Sequence, residues 1–153
     1  MLDLTGKVAL ITGARRGMGK SHALKLASLG AKVAVTDIDL AECQAVADEI
    51  KNSGGEAIAV ELNVLDKVSI DAGFDETIKQ LGRLDILVNN AGIYIPKPAL
   101  EITAEEWDKM LGVNLRGEFL CAQRAAKEMA KNPPATASCG APPKAVAGGG
   151  RII

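Results

Sequence analysis

The sequence predicts an α/β protein built on a doubly wound, Rossmann-like parallel sheet, and three observations carry that prediction. Short apolar runs alternate with helix-like stretches from Val8 to about Lys131. The runs are continuously apolar, as strands buried on both faces are. A glycine-rich turn, Thr12-Gly13-Ala14-Arg15-Arg16-Gly17-Met18-Gly19, joins the first run to the first helical stretch. A strand–helix–strand rhythm of this kind needs right-handed crossovers between parallel strands, which places helices on both faces of one sheet, in three layers.

Taken in order, Val8-Ala9-Leu10-Ile11 is the first strand, ending in Thr12-Gly13. The helix from Met18 to Leu29 stops at Gly30, a residue suited to a C-terminal cap. Lys32 to Thr36 is a valine-rich second strand. Asp39 offers an N-cap with Glu42 three residues on, and Cys43, Val46, Ala47 and Ile50 recur at helical spacing. Asn52-Ser53-Gly54-Gly55 ends that helix. Ala57 to Glu61 is the third strand, Asp66 to Leu81 a helix, and Asp85 to Asn89 the fourth strand. Thr103 caps a further helix, whose apolar stripe is expected to run through Trp107, Met110, Leu111, Asn114 and Leu115. His22, four residues from both Met18 and Leu26, is expected on the packed stripe of its helix or at its rim.

From Asn132 the character changes. Two proline pairs and the run Gly148-Gly149-Gly150 cannot continue a helix or lie in a central strand, so 132–150 reads as a Pro/Gly/Ala-rich linker or insertion. Arg151-Ile152-Ile153 reads as the first residues of a fifth strand. The expected organisation is a dinucleotide-binding domain over 1–131, the linker over 132–150, and the start of a strand over 151–153.

The bulk properties exclude several classes. A chain of 153 residues has room for one core, and 48% hydrophobic against 24% charged residues argues against disorder of the whole. Eighteen basic residues against nineteen acidic ones leave no electrostatic footprint for nucleic acid or an anionic membrane. Cys43, Cys121 and Cys139 are odd in number and far apart, and no Cys-x-x-Cys pair exists, so neither a disulfide framework nor a zinc site is expected. The N-terminus lacks a basic segment followed by a long apolar run, and no apolar run is long enough to span a membrane. A cytoplasmic protein is the expectation.

The glycine-rich turn is where chemistry first shows. Glycines between a buried strand and a helix allow a tight turn, close approach of backbone to a pyrophosphate, and close helix–strand packing. The helix start adds free N–H groups and about half a positive charge, which suits an anion. Gly13, Arg15, Arg16, Gly17, Met18 and Gly19 are therefore candidate cofactor-binding residues.

The spacing Gly-x-x-x-Gly-x-Gly, with Thr12 in front, resembles the classical short-chain dehydrogenase/reductase family, and the resemblance runs from about Leu4 to Lys131. Asn89-Asn90-Ala91-Gly92, directly after Leu84 to Val88, is its most specific further match. The family implies an NAD(P)-dependent oxidoreductase moving hydride between a nicotinamide and a carbonyl or alcohol. Asp37 and Ile38 match the family's ribose-binding position eighteen residues past Gly19. A carboxylate there accepts hydrogen bonds from both ribose hydroxyls and repels a 2′-phosphate, which favours NAD over NADP. Arg15 and Arg16 argue mildly for NADP. Asn63 and Val64 match the adenine-contacting pair, although the family usually has aspartate first; Asn63 either accepts from adenine or merely ends its strand. Asn90, Ala91 and Gly92 border the cofactor's ribose by the same resemblance. Asn114 matches the asparagine that kinks its helix and whose main-chain carbonyl holds a water next to the catalytic lysine.

The resemblance also implies what these residues do not supply. The family's serine and Tyr-x-x-x-Lys follow strand five, whereas here Tyr94 has Lys97 only three residues later. Without them no dehydrogenase turnover is expected, and the chain reads as a truncated form. The family's strand order, 3-2-1-4-5-6-7, would then leave the fourth strand as an edge and part of the Trp107–Phe119 helix exposed. A catalytically inactive nucleotide-binding or partner-binding module, or an unstable fragment, stays open beside the enzyme reading. The substrate is undetermined, and the usual homo-oligomeric state of the family is uncertain for this chain.

Overall fold

The structure is a computed structural model that describes residues 3–132 and 149–153. It contains a five-stranded parallel sheet in the order β3-β2-β1-β4-β5. The strands are β1 (Val8–Thr12), β2 (Lys32–Asp37), β3 (Glu56–Glu61), β4 (Ile86–Val88) and β5 (Arg151–Ile152). The helices are α1 (Gly17–Ser28), α2 (Leu40–Asn52), α3 (Lys67–Leu81), α4 (Ala104–Leu111) and α5 (Glu118–Met129). A 3₁₀ turn at Ala99–Glu101 precedes α4, and a π-helical turn at Gly112–Gly117 joins α4 to α5. The linker expected over 132–150 lies almost entirely outside the described residues, as do Ser138 and Cys139.

Alternation along the strands divides the core. Val8 and Leu10 of β1 face one layer with Ile70 and Phe74 of α3 and Cys121, Ala125 and Met129 of α5. Ala9 and Ile11 face the other, with Ala23 of α1 and Cys43, Val46, Ala47 and Ile50 of α2. Successive residues of a strand point to opposite faces, so one apolar run serves both layers. The expected doubly wound architecture is the one found.

Local sequence explains the helix ends. Asp39 accepts from the Glu42 N–H at 3.0 Å to start α2, and Asp66 accepts from the Val68 and Ser69 N–H groups to start α3. Thr103 and Glu106 form a reciprocal capping box at α4. Gly30 takes a φ of 93° just past α1, a conformation that costs a glycine little.

Four expectations need correction. β4 spans only Ile86–Val88, although Asp85 still donates its N–H to Val8 at 2.9 Å and Asn89 donates to Ile153 at 2.8 Å. Sheet-like bonds therefore outrun the strand itself. The stripe from Trp107 to Leu115 is not a packed face: Trp107, Leu111 and Leu115 are exposed, as is Phe119. The buried row is Val113, Gly117, Cys121, Ala125 and Met129. Asn114 is accordingly exposed rather than buried. His22 is exposed too, because α1 buries only Gly19 and Ala23.

The free thiols of Cys43 and Cys121 are buried, and burial pushes both up to about 12, so they are inert packing groups. Among the described residues no helix is long and apolar enough to cross a membrane, and no cluster of potential metal ligands occurs.

Candidate functional site

A groove of about 580 Å³ opens at the C-terminal ends of β1, β2 and β4. That is within the usual range for a small-molecule site, and the edge of an open α/β sheet where strand order reverses is where such sites form. The glycine turn supplies Gly13, Arg15, Arg16 and Met18 to its lining, and the end of β2 supplies Asp37 and Ile38. Asn63 and Val64 enter from the β3–α3 connection, and Asn90, Ala91 and Gly92 from the segment after β4. Gly17, Gly19 and Asn114 do not line it. Their parts are structural and adjoining.

Gly17 has a φ of 58°, which turns the chain into α1. A Cβ on Gly13 would lie 2.8 Å from the Ala91 Cα, and one on Gly19 would lie 2.3 Å from the Gly13 carbonyl oxygen. The turn, the helix and the segment after β4 thus meet at main-chain contact distance. No side chain caps the α1 start, whose N-cap position is Arg16, and its first turn holds no acidic residue. Helices α2, α3 and α4 are each capped by a side-chain oxygen. The first N–H groups of α1 are left without that partner beside the groove, with the positive end of the helix dipole behind them.

Thr12 and Asn90 lock the turn to β4. The buried Thr12 hydroxyl accepts from the N–H groups of Asn90 and Ala91, both at 3.0 Å. The Asn90 Nδ2 donates to the main-chain oxygens of Thr12 and Gly13 at 3.0 and 2.9 Å.

At the β2 end the Asp37 carboxylate is largely shielded from solvent. Its Oδ1 accepts from the Ile38 N–H at 2.8 Å and lies 3.4 Å from Arg15 Nε. Arg15 also donates from Nη1 to Glu42 at 3.1 Å. Asn63 turns its Oδ1 back to accept from the Leu65 N–H at 3.0 Å, while its own N–H donates to the Ser69 hydroxyl at 2.8 Å. The amide oxygen is therefore engaged locally and keeps one lone pair for a further donor.

Asn114 sits in the π turn, where its helix departs from regular α geometry. Its Oδ1 accepts from the Ile93 N–H and its Nδ2 donates to the Ile93 carbonyl, both at 2.8 Å. One side chain thus fixes the segment leaving the groove. Tyr94 is exposed, and Lys97 pairs with Glu106 rather than with Tyr94.

Sequence reasoning missed several lining residues. Leu62, Leu65, Ile93, Lys109 and Val113 all face the groove. Leu62 and Leu65 flank the Asn63-Val64 pair and could have been found from that adjacency. Lys109 arrives through the packing of α4, which no local signal in its own stretch announces. In the sequence Thr12 only precedes the glycines, and no local signal announces its clasp on Asn90.

Comparison with known proteins adds a family to this geometry. A sequence profile described as short chain dehydrogenase matches residues 7–136. The chain is 43% identical over 131 residues to a 3-oxoacyl-(acyl-carrier-protein) reductase of Aquifex aeolicus, covering 85% of this chain and 53% of that one. A short-chain type dehydrogenase/reductase from Mycobacterium marinum superposes with a TM-score of 0.82 at 41% identity, over 85% of this chain and 53% of the other. A 3-ketoacyl-(acyl-carrier-protein) reductase from Brucella melitensis, solved in complex with NADH, gives a TM-score of 0.79 at 40% identity, over 85% and 52%. The chain spans about half the length of the relatives it matches.

Proposed function

Since the chain belongs to the short chain dehydrogenase family, we propose that its groove is the nicotinamide-dinucleotide cradle of an oxidoreductase acting on a carbonyl or alcohol. The observation that carries this reading is the uncapped start of α1, reached through a turn whose Gly13 and Gly19 leave no room for a Cβ and flanked by Arg15 and Arg16. Main-chain N–H groups at a helix start, the helix dipole and the Arg16 guanidinium together suit a diphosphate.

The residues present fit the rest of such a ligand. Asp37 has Oδ1 occupied by Ile38 and Arg15, which leaves Oδ2 to accept from ribose hydroxyls. Ile38, Asn63 and Val64 offer two apolar surfaces and an amide to an adenine ring. Asn90, Ala91 and Gly92 border the second ribose, and the Thr12–Asn90 clasp holds them at a set distance from the glycine turn. The bound nicotinamide would supply or accept the hydride. Asn114 positions the segment after Gly92 through Ile93; by family resemblance, its main-chain carbonyl serves a water beside the catalytic lysine.

The carboxylate of Asp37 favours NAD over NADP, and the Brucella relative solved with NADH is in keeping with that. Residues 1–131 form the dinucleotide-binding domain in this reading. Buried, inert Cys43 and Cys121 suit a reducing, cytoplasmic setting. Isothermal titration of the 153-residue chain with NAD and with NADP tests the proposal. NAD is expected to bind more tightly; heat of binding with neither dinucleotide overturns the reading.

A further inference from the structure

We infer that Glu42, outside the groove on α2, selects against a 2′-phosphate by tethering Arg15, an inference that rests on the dinucleotide reading of the groove. Arg15 lies between two carboxylates, with Nε 3.4 Å from Asp37 and Nη1 3.1 Å from Glu42. Its side chain is 22% exposed while that of Glu42 is 49% exposed, so the anchor stands at the rim and the tethered cation inside it. Glu42 is itself set in place, because its N–H donates to the Asp39 cap at 3.0 Å.

Binding a phosphate well requires a guanidinium to present two N–H groups along one edge. Here Nε is turned to Asp37 and Nη1 to Glu42, so only Nη2 is without a carboxylate partner. Every edge of the fork already has at least one nitrogen committed. A ribose with a free 2′-hydroxyl needs only Asp37 and is indifferent to the tether. Glu42 is therefore a positioning residue: it denies Arg15 to one ligand and leaves the other alone.

The test titrates wild type, Glu42→Gln, Arg15→Gln and the double variant with NAD and NADP, with a melting temperature recorded for each. Glu42→Gln is expected to tighten NADP about two- to five-fold, the scale of one exposed ion pair, with NAD affinity unchanged. In the Arg15→Gln background the same substitution is expected to change nothing. A gain that persists without Arg15 overturns the tether in favour of direct repulsion by Glu42. An unchanged NADP-to-NAD ratio with intact NAD binding overturns this inference alone, whereas wild type binding neither dinucleotide overturns the groove reading as well. Should Glu42→Gln lower the melting temperature, Glu42→Ala is the second variant, and a role confined to helix α2 would move both affinities in proportion.

Discussion

Thr12 and Asn90 grip each other twice: the Thr12 hydroxyl accepts the Asn90 N–H at 3.0 Å, and the Asn90 side chain donates to the Thr12 carbonyl at 3.0 Å. This joins the C-terminal ends of β1 and β4, the two strands that flank the reversal of strand order. Replacing Asn90 by alanine strands the carbonyls of Thr12 and Gly13 without their donor. The expected loss is about 1–3 kcal/mol, since unsatisfied groups cost more than a bond contributes. Urea denaturation of N90A against wild type measures it.

Gly19→Ala is expected to be far worse than Gly54→Ala. The Gly19 Cβ would fall 2.3 Å from the Gly13 oxygen and 2.9 Å from the Ala14 Cα, both main-chain atoms that cannot step aside, whereas nothing lies within 4 Å at Gly54. At Gly54 only the positive φ of 85° resists a side chain. G19A should lower the melting temperature sharply and abolish dinucleotide binding. G54A should lose only about 1–2 kcal/mol and keep binding.

Asp37→Ala should weaken NAD and erase the preference over NADP. Charge-assisted hydrogen bonds contribute about 1.5–3 kcal/mol, which corresponds to roughly ten- to a hundred-fold in affinity. Parallel titrations with the two dinucleotides read both effects. Equal losses for NAD and NADP would remove Asp37 from the ribose.

Glu128 gives the fold an acid-sensitive point. Its carboxyl is held below the ordinary glutamate range by hydrogen bonds from Lys131 and then Arg124, against the opposing pull of burial. A carboxyl with a depressed value in the folded state binds its proton more readily once unfolded. Its stabilisation is therefore present above the unfolded value, about pH 4, and drains away as pH falls through the folded one. Melting temperatures measured from neutral to acid pH should show E128Q below wild type at pH 7, with the gap closing in acid.

A polypeptide of these 153 residues should reduce no ketone with NADH. Tyr94 is 81% exposed in the stretch leading to α4, and the Lys97 ammonium is engaged by Glu106. A proton donor must come within hydrogen-bond reach of the substrate oxygen, and among the described residues no lysine pairs with this tyrosine. Stopped-flow or steady-state loss of NADH absorbance with a panel of ketones checks it.

Much of the fold was legible because its signals are local. The row Cys43, Val46, Ala47 and Ile50 is the buried face of α2, residue for residue, and the expected caps at Asp39 and Thr103 both form. Most of the groove lining could also be read ahead, since the residues sit at strand ends where the chain must turn. What could not be read depends on distant parts of the chain. Spacing alone puts His22 on a packed stripe or at its rim, yet α1 turns Ala23 to the sheet. Lys109 and Val113 reach the groove only because α4 returns across it. The stripe through Trp107 failed because spacing marks an apolar face and not the neighbour that would cover it; the winding itself departs from 3.6 only at Gly112–Gly117.

That departure has a further meaning. The buried positions Val113, Gly117, Cys121, Ala125 and Met129 are four apart throughout, and so are the exposed Trp107, Leu111, Leu115 and Phe119. In a regular α-helix a four-residue step overshoots one revolution by roughly 40°, so two such rows would spiral around the axis. The over-wide winding at Gly112–Gly117 takes up part of that drift, as a vernier corrects a scale. Losing one residue there would let the turn rewind to regular α geometry, whereas gaining one would rotate everything downstream by about 100°, swinging Cys121 and Ala125 off the sheet. The stretch between Leu111 and Glu118 thus tolerates the loss of a residue better than the gain of one.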